Sequence, residues 1–173
     1  MDSKFPNPPS WNEYFMRHVY LVASKSKDRR TKVGSVIVKN NRIIASGYNG
    51  FPVGVNDDVH ERRERPTKYL YVVHSEHNSV LQCALEGISP SGGKLITNGI
   101  PCCECAKSII QSGIKSVVVH KQWVDFEKKL SYDKWVKSKE VTEIMFGESG
   151  VAIDVFDGFL GVLAYLDGKI IKV

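Results

Sequence analysis

Lys94-Leu95-Ile96-Thr97-Asn98-Gly99-Ile100-Pro101-Cys102-Cys103-Glu104-Cys105, followed through Gly113 to Ser116-Val117-Val118-Val119-His120, is the stretch whose reading decides the fold. Residues 94–97 are a short strand-type run that ends in the turn-rich Asn98-Gly99-Ile100-Pro101. A helix begins at the cysteines, and Gly113 ends it. Residues 116–120 then supply another β-branched, buried strand. Strand, helix and strand in succession is the pattern of a parallel crossover unit, which places ligand-bearing residues at strand-to-helix turns. Pro101, with Cys102 and Cys105 at i and i+3, suits a first helical turn. There the thiols share one face, and exposed backbone N–H groups favour thiolate over thiol.

Outward from this unit, residues 10–24 read as a helix. Ser10 and Glu13 form a capping-box pattern, and Trp11, Tyr14, Phe15, His18, Val19 and Val22 recur at helical spacing. Residues 33–38 and 43–46 read as an antiparallel strand pair, joined by Lys39-Asn40-Asn41-Arg42, whose asparagines tolerate positive φ. Residues 69–73 are a short apolar run leading into His74. A helical face follows over 76–85, with Gly87 at its C-cap. Residues 132–146 read as a helix and 151–156 as a strand. Residues 159–166 and 169–173 flank Asp167-Gly168 as a terminal hairpin.

The 173 residues are enough for one full core and too few for two ordinary domains. A hydrophobic content of 42% excludes a disordered chain. No apolar run is long enough to span a bilayer, and residues 1–10 lack the charged and apolar regions of a signal peptide. The expected location is the cytoplasm, with no membrane partner. Three of the four cysteines fall within four positions, which argues against a disulfide framework and for reduced thiolates. The net charge of +5 points weakly to anionic partners. Acidic residues interrupt the basic runs, which are read as solvated faces and not as a nucleic-acid surface.

The chemistry concentrates in His74-Ser75-Glu76 and Pro101-Cys102-Cys103-Glu104-Cys105. Two thiolates and one imidazole give Zn²⁺ three protein ligands and leave the fourth tetrahedral position open, as in catalytic sites. Glu76 is then available to carry protons. An H-x-E segment with P-C-x-x-C marks zinc-dependent nucleobase deaminases, in which the Glu is general acid/base and not a ligand. A C-x-x-C pair can instead be a redox pair or half of a structural zinc site. The structural alternative requires a fourth ligand, for which Cys103, Cys83, His60, His77 and His120 are the nearby candidates. Cys103 reads as a packing residue beside the ligands, and Cys83 as a small residue on a helix face.

The chain resembles the deoxycytidylate (dCMP) deaminases of the zinc-dependent cytidine deaminase superfamily. The resemblance covers residues 10–155 or so. It runs through Ser26-Lys27-Asp28, residues 31–38, Gly47-Tyr48-Asn49-Gly50-Phe51-Pro52, Lys68-Tyr69, the two metal segments with Ala106-Lys107, and residues 109–115. The zinc motif specifies the superfamily. The Gly-Tyr-Asn-Gly-Phe-Pro loop and Lys68-Tyr69 narrow it to dCMP deaminases.

The resemblance implies a three-layer α/β/α fold around a mixed five-stranded sheet, in a single domain over 1–173 with the hairpin of 156–173 as a C-terminal extension. It implies conversion of dCMP to dUMP and ammonia, with dUMP supplied for thymidylate synthesis. His74, Cys102 and Cys105 would hold zinc, and Glu76 would shuttle protons. Asn49 would contact the deoxyribose; Ser75 is placed at the substrate with it, and Tyr132 is a candidate either to stack on the pyrimidine or, as an aromatic at the start of an amphipathic helix, to join the core. Many relatives are hexamers activated by dCTP with Mg²⁺ and inhibited by dTTP. A homo-oligomer and an effector site at Lys32, Gly47, Tyr48, Asn49 and Gly50 are therefore expected.

Ser75 and Ser79 stand where relatives usually carry Ala; both are small, so the helix should survive. The hairpin extends past where many relatives end. Arg29, Arg30 and Lys32 are the candidates by charge for the 5′-phosphate. Three alternatives stay open: deamination of a base within a polynucleotide, deamination of another free cytosine nucleotide such as dCTP, and a non-enzymatic zinc module.

Overall fold

The computed structural model describes residues 7–130 and 133–173. Helix α1 (Trp11–Ala23) starts where the Ser10 hydroxyl accepts a hydrogen bond from the Glu13 N–H at 3.2 Å. That satisfies one of the orphan donors of the first turn. Strands β1 (Gly34–Lys39) and β2 (Arg42–Tyr48) pair antiparallel across Asn40 and Asn41, whose φ values are 51° and 55°. Short side chains that bond locally make this left-handed pair affordable.

After a short helix α2 (His60–Arg63) and a 3₁₀ turn (Thr67–Leu70), helix α3 (Ser75–Leu85) packs across β2. Then come β3 (Lys94–Thr97), α4 (Cys103–Gln111), β4 (Ser116–His120), α5 (Lys121–Lys128), α6 (Asp133–Ser149) and β5 (Ala152–Phe156). A separate hairpin, β6 (Leu163–Leu166) and β7 (Lys169–Lys172), turns at Asp167-Gly168, both at positive φ.

The main sheet runs β2-β1-β3-β4-β5. β1 is antiparallel to both its neighbours, while β3, β4 and β5 are parallel. The period-2 alternation of each strand then makes two cores. Val36, Val38, Ile96 and Val118 face α1 and the C-terminal hairpin, meeting Met16, Val19, Leu160, Ala164 and Leu166. Ile37, Leu95, Val117 and Val119 face the other way, onto Cys83, Ala106, Ile109 and Phe146 of α3, α4 and α6. The mixed five-stranded, three-layer expectation holds, with the hairpin folded against the α1 layer.

Two glycines let these layers close. A Cβ on Gly34 would lie 2.2 Å from the Val19 carbonyl oxygen, and one on Gly47 would lie 2.3 Å from the Ser75 carbonyl oxygen. The β1–β2 hairpin is thus gripped by α1 on one side and α3 on the other through bare backbone. Gly47, expected at an effector site, serves here as the contact that seats α3.

Several boundaries differ from expectation. α4 begins at Cys103 with Cys102 as its N-cap, so Pro101 precedes the helix instead of opening it. α5 follows β4 directly, with no capping side chain or turn residue to announce it. α6 runs on to Ser149, and β6 is confined to Leu163–Leu166. Tyr132 lies outside the described residues.

Candidate active site

The two segments of the metal motif meet because each ends at a helix N-terminus. His74 caps α3 with φ −73° and ψ 155°, and Cys102 caps α4 with φ −71° and ψ 164°. Cys105 lies in the first turn of α4, one turn from Cys102. His74 Nδ1 is 3.3 Å from Cys102 Sγ and 3.5 Å from Cys105 Sγ. A tetrahedral zinc bound at ordinary Zn–N and Zn–S lengths would set a nitrogen–sulfur edge of about 3.6 Å. The donor set therefore fits zinc without rearrangement. Among the described residues His74, Cys102 and Cys105 form the only such cluster, with ligand atoms all within 4.8 Å of one another. Cys103, Cys83, His60, His77 and His120 do not join it.

The electrostatics suit cation capture. The hydrogen bond from the Cys105 thiol, with His74 beside it, holds the Cys102 sulfur down at about 4, while Cys105 is pushed up because its partner already carries the negative charge. His74 is raised by its hydrogen bond with Cys102. Burial lifts the Glu76 carboxyl above the usual range. Glu76 is buried, and its Oε2 accepts a 2.9 Å hydrogen bond from the Ser75 hydroxyl. The hydroxyls at 75 and 79 are absorbed locally: Ser79 donates to the Glu76 carbonyl, and Ser35 donates to the Ser75 carbonyl at 2.8 Å with the Ser79 hydroxyl 3.1 Å away. The helix survives both replacements.

Above the cluster lies a cavity of about 330 Å³. His74, Ser75, Glu76 and Cys102 form its floor, and Trp135, Tyr69, Trp123 and Asn49 stand among its walls. Trp135 lies 5.9 Å from the His74 ring and 6.2 Å from Tyr69. Three ion pairs also line it: Lys68 with Asp28 at 2.5 Å, Lys139 with Glu127 at 2.6 Å, and Arg65 with Asp167 at 3.2 Å.

Asn49 faces this cavity while pinning the segment before β1. Its Oδ1 accepts from the Val33 N–H at 2.8 Å, and its Nδ2 donates to the Thr31 carbonyl at 2.8 Å. Tyr48 and Gly50 point elsewhere, to a second cavity of about 300 Å³ lined also by Lys25, Lys27, Arg29 and Arg30. Lys32 lines neither cavity and lies against the Tyr165 ring. Of the basic residues expected at a phosphate, none reaches the cavity above the metal cluster. Lys68, Arg65, Lys128 and Lys139 do. Lys68 was visible only as part of the Lys68-Tyr69 resemblance, and neither Trp135 nor Arg65 carries a local signal.

A family model described as the cytidine and deoxycytidylate deaminase zinc-binding region matches residues 9–121. An uncharacterized deaminase from the luxG 3′ region of Aliivibrio fischeri is 38% identical over 145 residues, 83% of this chain and 91% of that protein. Human deoxycytidylate deaminase is 37% identical over 154 residues, covering 84% and 79% of the two chains. The crystal structure of a dCMP deaminase from cyanophage S-TIM5, in complex with dCMP and dUMP, superposes with a TM-score of 0.65 at 26% identity. It covers 87% of this chain and all of that one. By matched residues, fold and metal cluster together, the chain belongs to the cytidine and deoxycytidylate deaminase family and is a hydrolytic deaminase.

Proposed function

We propose that the protein converts dCMP to dUMP and ammonia, with His74, Cys102 and Cys105 as zinc ligands and Glu76 as the proton carrier. The observation that carries this reading is the buried Glu76 carboxyl, set beside a three-ligand cluster in the lining of a cavity of about 330 Å³. When bound, zinc supplies acidification of a water from a pKa of about 16 toward about 7.

Glu76 does the rest. A carboxylate there accepts the proton that the attacking water gives up and delivers it to N3 of the pyrimidine as C4 becomes tetrahedral. It then takes the second proton from the oxygen added at C4 and passes it to the departing amino nitrogen, so that ammonia leaves and the ring keeps the oxygen as a carbonyl. Burial helps, because a carboxyl lifted above its ordinary range is a stronger base than an exposed one. Ser75 orients the carboxylate through its hydroxyl. Trp135 and Tyr69 supply flat faces for the base, and Asn49 shapes the wall at the sugar.

The second cavity, basic and bordered by Tyr48 and Gly50, supports an effector-nucleotide site for dCTP, carried with Mg²⁺, and for dTTP. Residues 1–173 then act as one deaminase domain, working as a homo-oligomer in dUMP supply for thymidylate synthesis.

The test is uracil-nucleotide formation by zinc-loaded protein from dCMP, CMP, dCTP and deoxycytidine, each with and without added dCTP or dTTP. Preference for dCMP supports the substrate, and a rise with dCTP and fall with dTTP support the effector site. Silence on every mononucleotide overturns the reading in favour of a polynucleotide substrate.

A further inference from the structure

We propose that Ser138 and Thr142 of α6 are positioning residues for the metal ligand Cys102. They hold the two peptide groups that flank it and so fix the direction in which its side chain leaves the backbone. The role rests on the zinc ligation by His74, Cys102 and Cys105 given above.

An N-cap residue ordinarily turns its side chain back onto the first N–H groups of its own helix. Cys102 holds that position in α4 and makes no such bond. Its sulfur lies 3.3 Å from His74 Nδ1 instead. The cap comes from another helix: the Cys103 N–H, the first orphan donor of α4, donates to the Ser138 hydroxyl oxygen at 2.9 Å. On the other side of Cys102, the Thr142 hydroxyl lies 3.0 Å from the Pro101 carbonyl oxygen and 3.1 Å from the Ser138 carbonyl oxygen, its one proton shared between them.

Peptide planarity turns these two contacts into a constraint on the ligand. The groups joining Pro101 to Cys102 and Cys102 to Cys103 are rigid planes, and the torsions between them are the φ and ψ of Cys102. With one plane held by Thr142 and the other by Ser138, φ −71° and ψ 164° are both set, and the Cα–Cβ bond has one direction. Rotation about that bond is the only freedom left to the sulfur.

Ser and Thr are indifferent residues for a helix interior, because their hydroxyls compete for backbone groups. α6 nonetheless carries both within its 17 residues, and Thr142 is wholly buried. Positions 135, 138 and 142 are spaced by three and four residues and so share a face. That face also brings Trp135 to 5.9 Å from the His74 ring. Phe146, one turn further on, is buried in the same core cluster as Ile109 of α4. One anchored stripe of α6 therefore reaches both metal segments.

The experiment measures zinc affinity, by competition with a chromophoric chelator, and the visible spectrum of the Co(II)-substituted protein. Wild type is compared with Ser138→Ala, Thr142→Val, Ser138→Thr, Thr142→Ser and Val118→Ala. Loss of an outer partner of a metal ligand weakens binding by about tenfold to a hundredfold, the drop expected for Ser138→Ala and Thr142→Val. Their Co(II) bands, which report ligand geometry, should shift or weaken. Ser138→Thr and Thr142→Ser keep the hydroxyl and should recover most of both readouts. Ala is a better helix former than Ser, so Ser138→Ala should keep α6 folded while losing zinc. Val118→Ala opens a cavity in the core on the opposite face of the sheet. It should lower Tm and leave zinc affinity and the Co(II) bands as in wild type. Unchanged affinity and bands in both Ser138→Ala and Thr142→Val, or an equal zinc loss in Val118→Ala, overturns the proposal while leaving zinc ligation intact. A wild type that binds no zinc removes both.

Discussion

Lys68 Nζ lies 2.5 Å from Asp28 Oδ2, and this buried pair, with Val72, is the wall shared by the two cavities. Asp28 also accepts from the Arg30 and Thr31 N–H groups through Oδ1. Removing either charge leaves the other buried without its partner. Lys68→Met or Asp28→Ala should therefore cost about 3–5 kcal/mol in urea unfolding. The double variant should cost clearly less than the sum of the two.

Glu76→Gln should retain zinc and pyrimidine-nucleotide binding while kcat falls by at least about 10²–10⁴. Metal content by mass spectrometry and steady-state rates on dCMP check the two halves separately. Near-normal turnover would remove Glu76 from the mechanism.

Cys102→Ser should lose metal. It replaces the thiolate that the site stabilises most and leaves Cys105 without the partner it hydrogen-bonds. Substoichiometric zinc after purification, together with a fall in activity that excess zinc only partly restores, is the expected result.

Gly47→Ala should destabilise the protein by about 1–3 kcal/mol, as overpacking does. For a chain of this size that corresponds to a Tm drop of roughly 2–12 °C. The added methyl meets the Ser75 carbonyl and the Ser79 N–H at the head of α3, so zinc affinity and activity should fall with stability.

His120 is wholly buried. Its Nδ1 accepts from the Tyr20 hydroxyl at 2.7 Å, and its Nε2–H donates to the Gly158 carbonyl at 2.8 Å. Burial lowers its pKa in the fold, so the unfolded chain takes up the proton first as pH falls. The stability this neutral imidazole contributes is complete above about 6.5, the unfolded value, and is lost as pH drops from there to the lower folded value. His120→Gln should flatten that part of the curve of unfolding free energy against pH.

Much of this was legible in the sequence where a local rule and the tertiary structure agree. Ser10 with Glu13 announces α1, Asn40-Asn41 announces the first hairpin, and Gly87 and Gly113, at φ 65° and 78°, end α3 and α4. The cluster of His74, Cys102 and Cys105 was readable because metal ligation restricts both residue type and spacing.

The missing parts are those that no local rule governs. α5 starts at Lys121 straight out of β4, held by Trp123 and Val124 dropping into the two cores and not by a cap. Pro101 invites a helix start one residue too early, because Cys102 takes the cap position to aim its sulfur at His74. Arg65 with Asp167, and Trp135 with His74, meet only through folding. Their positions carry no pattern that charge or periodicity can find.

The C-terminal hairpin also imposes an order on maturation. His74, Cys102, Cys105, Glu76 and all five strands of the main sheet precede Leu163, whereas Ala164, Leu166 and Val173 finish the core beneath α1 and Asp167 finishes the cavity. Domains fold as the chain is made from its N-terminus. The growing polypeptide thus passes through a stage in which the ligands have been synthesised while one wall of the cavity still lacks its residues.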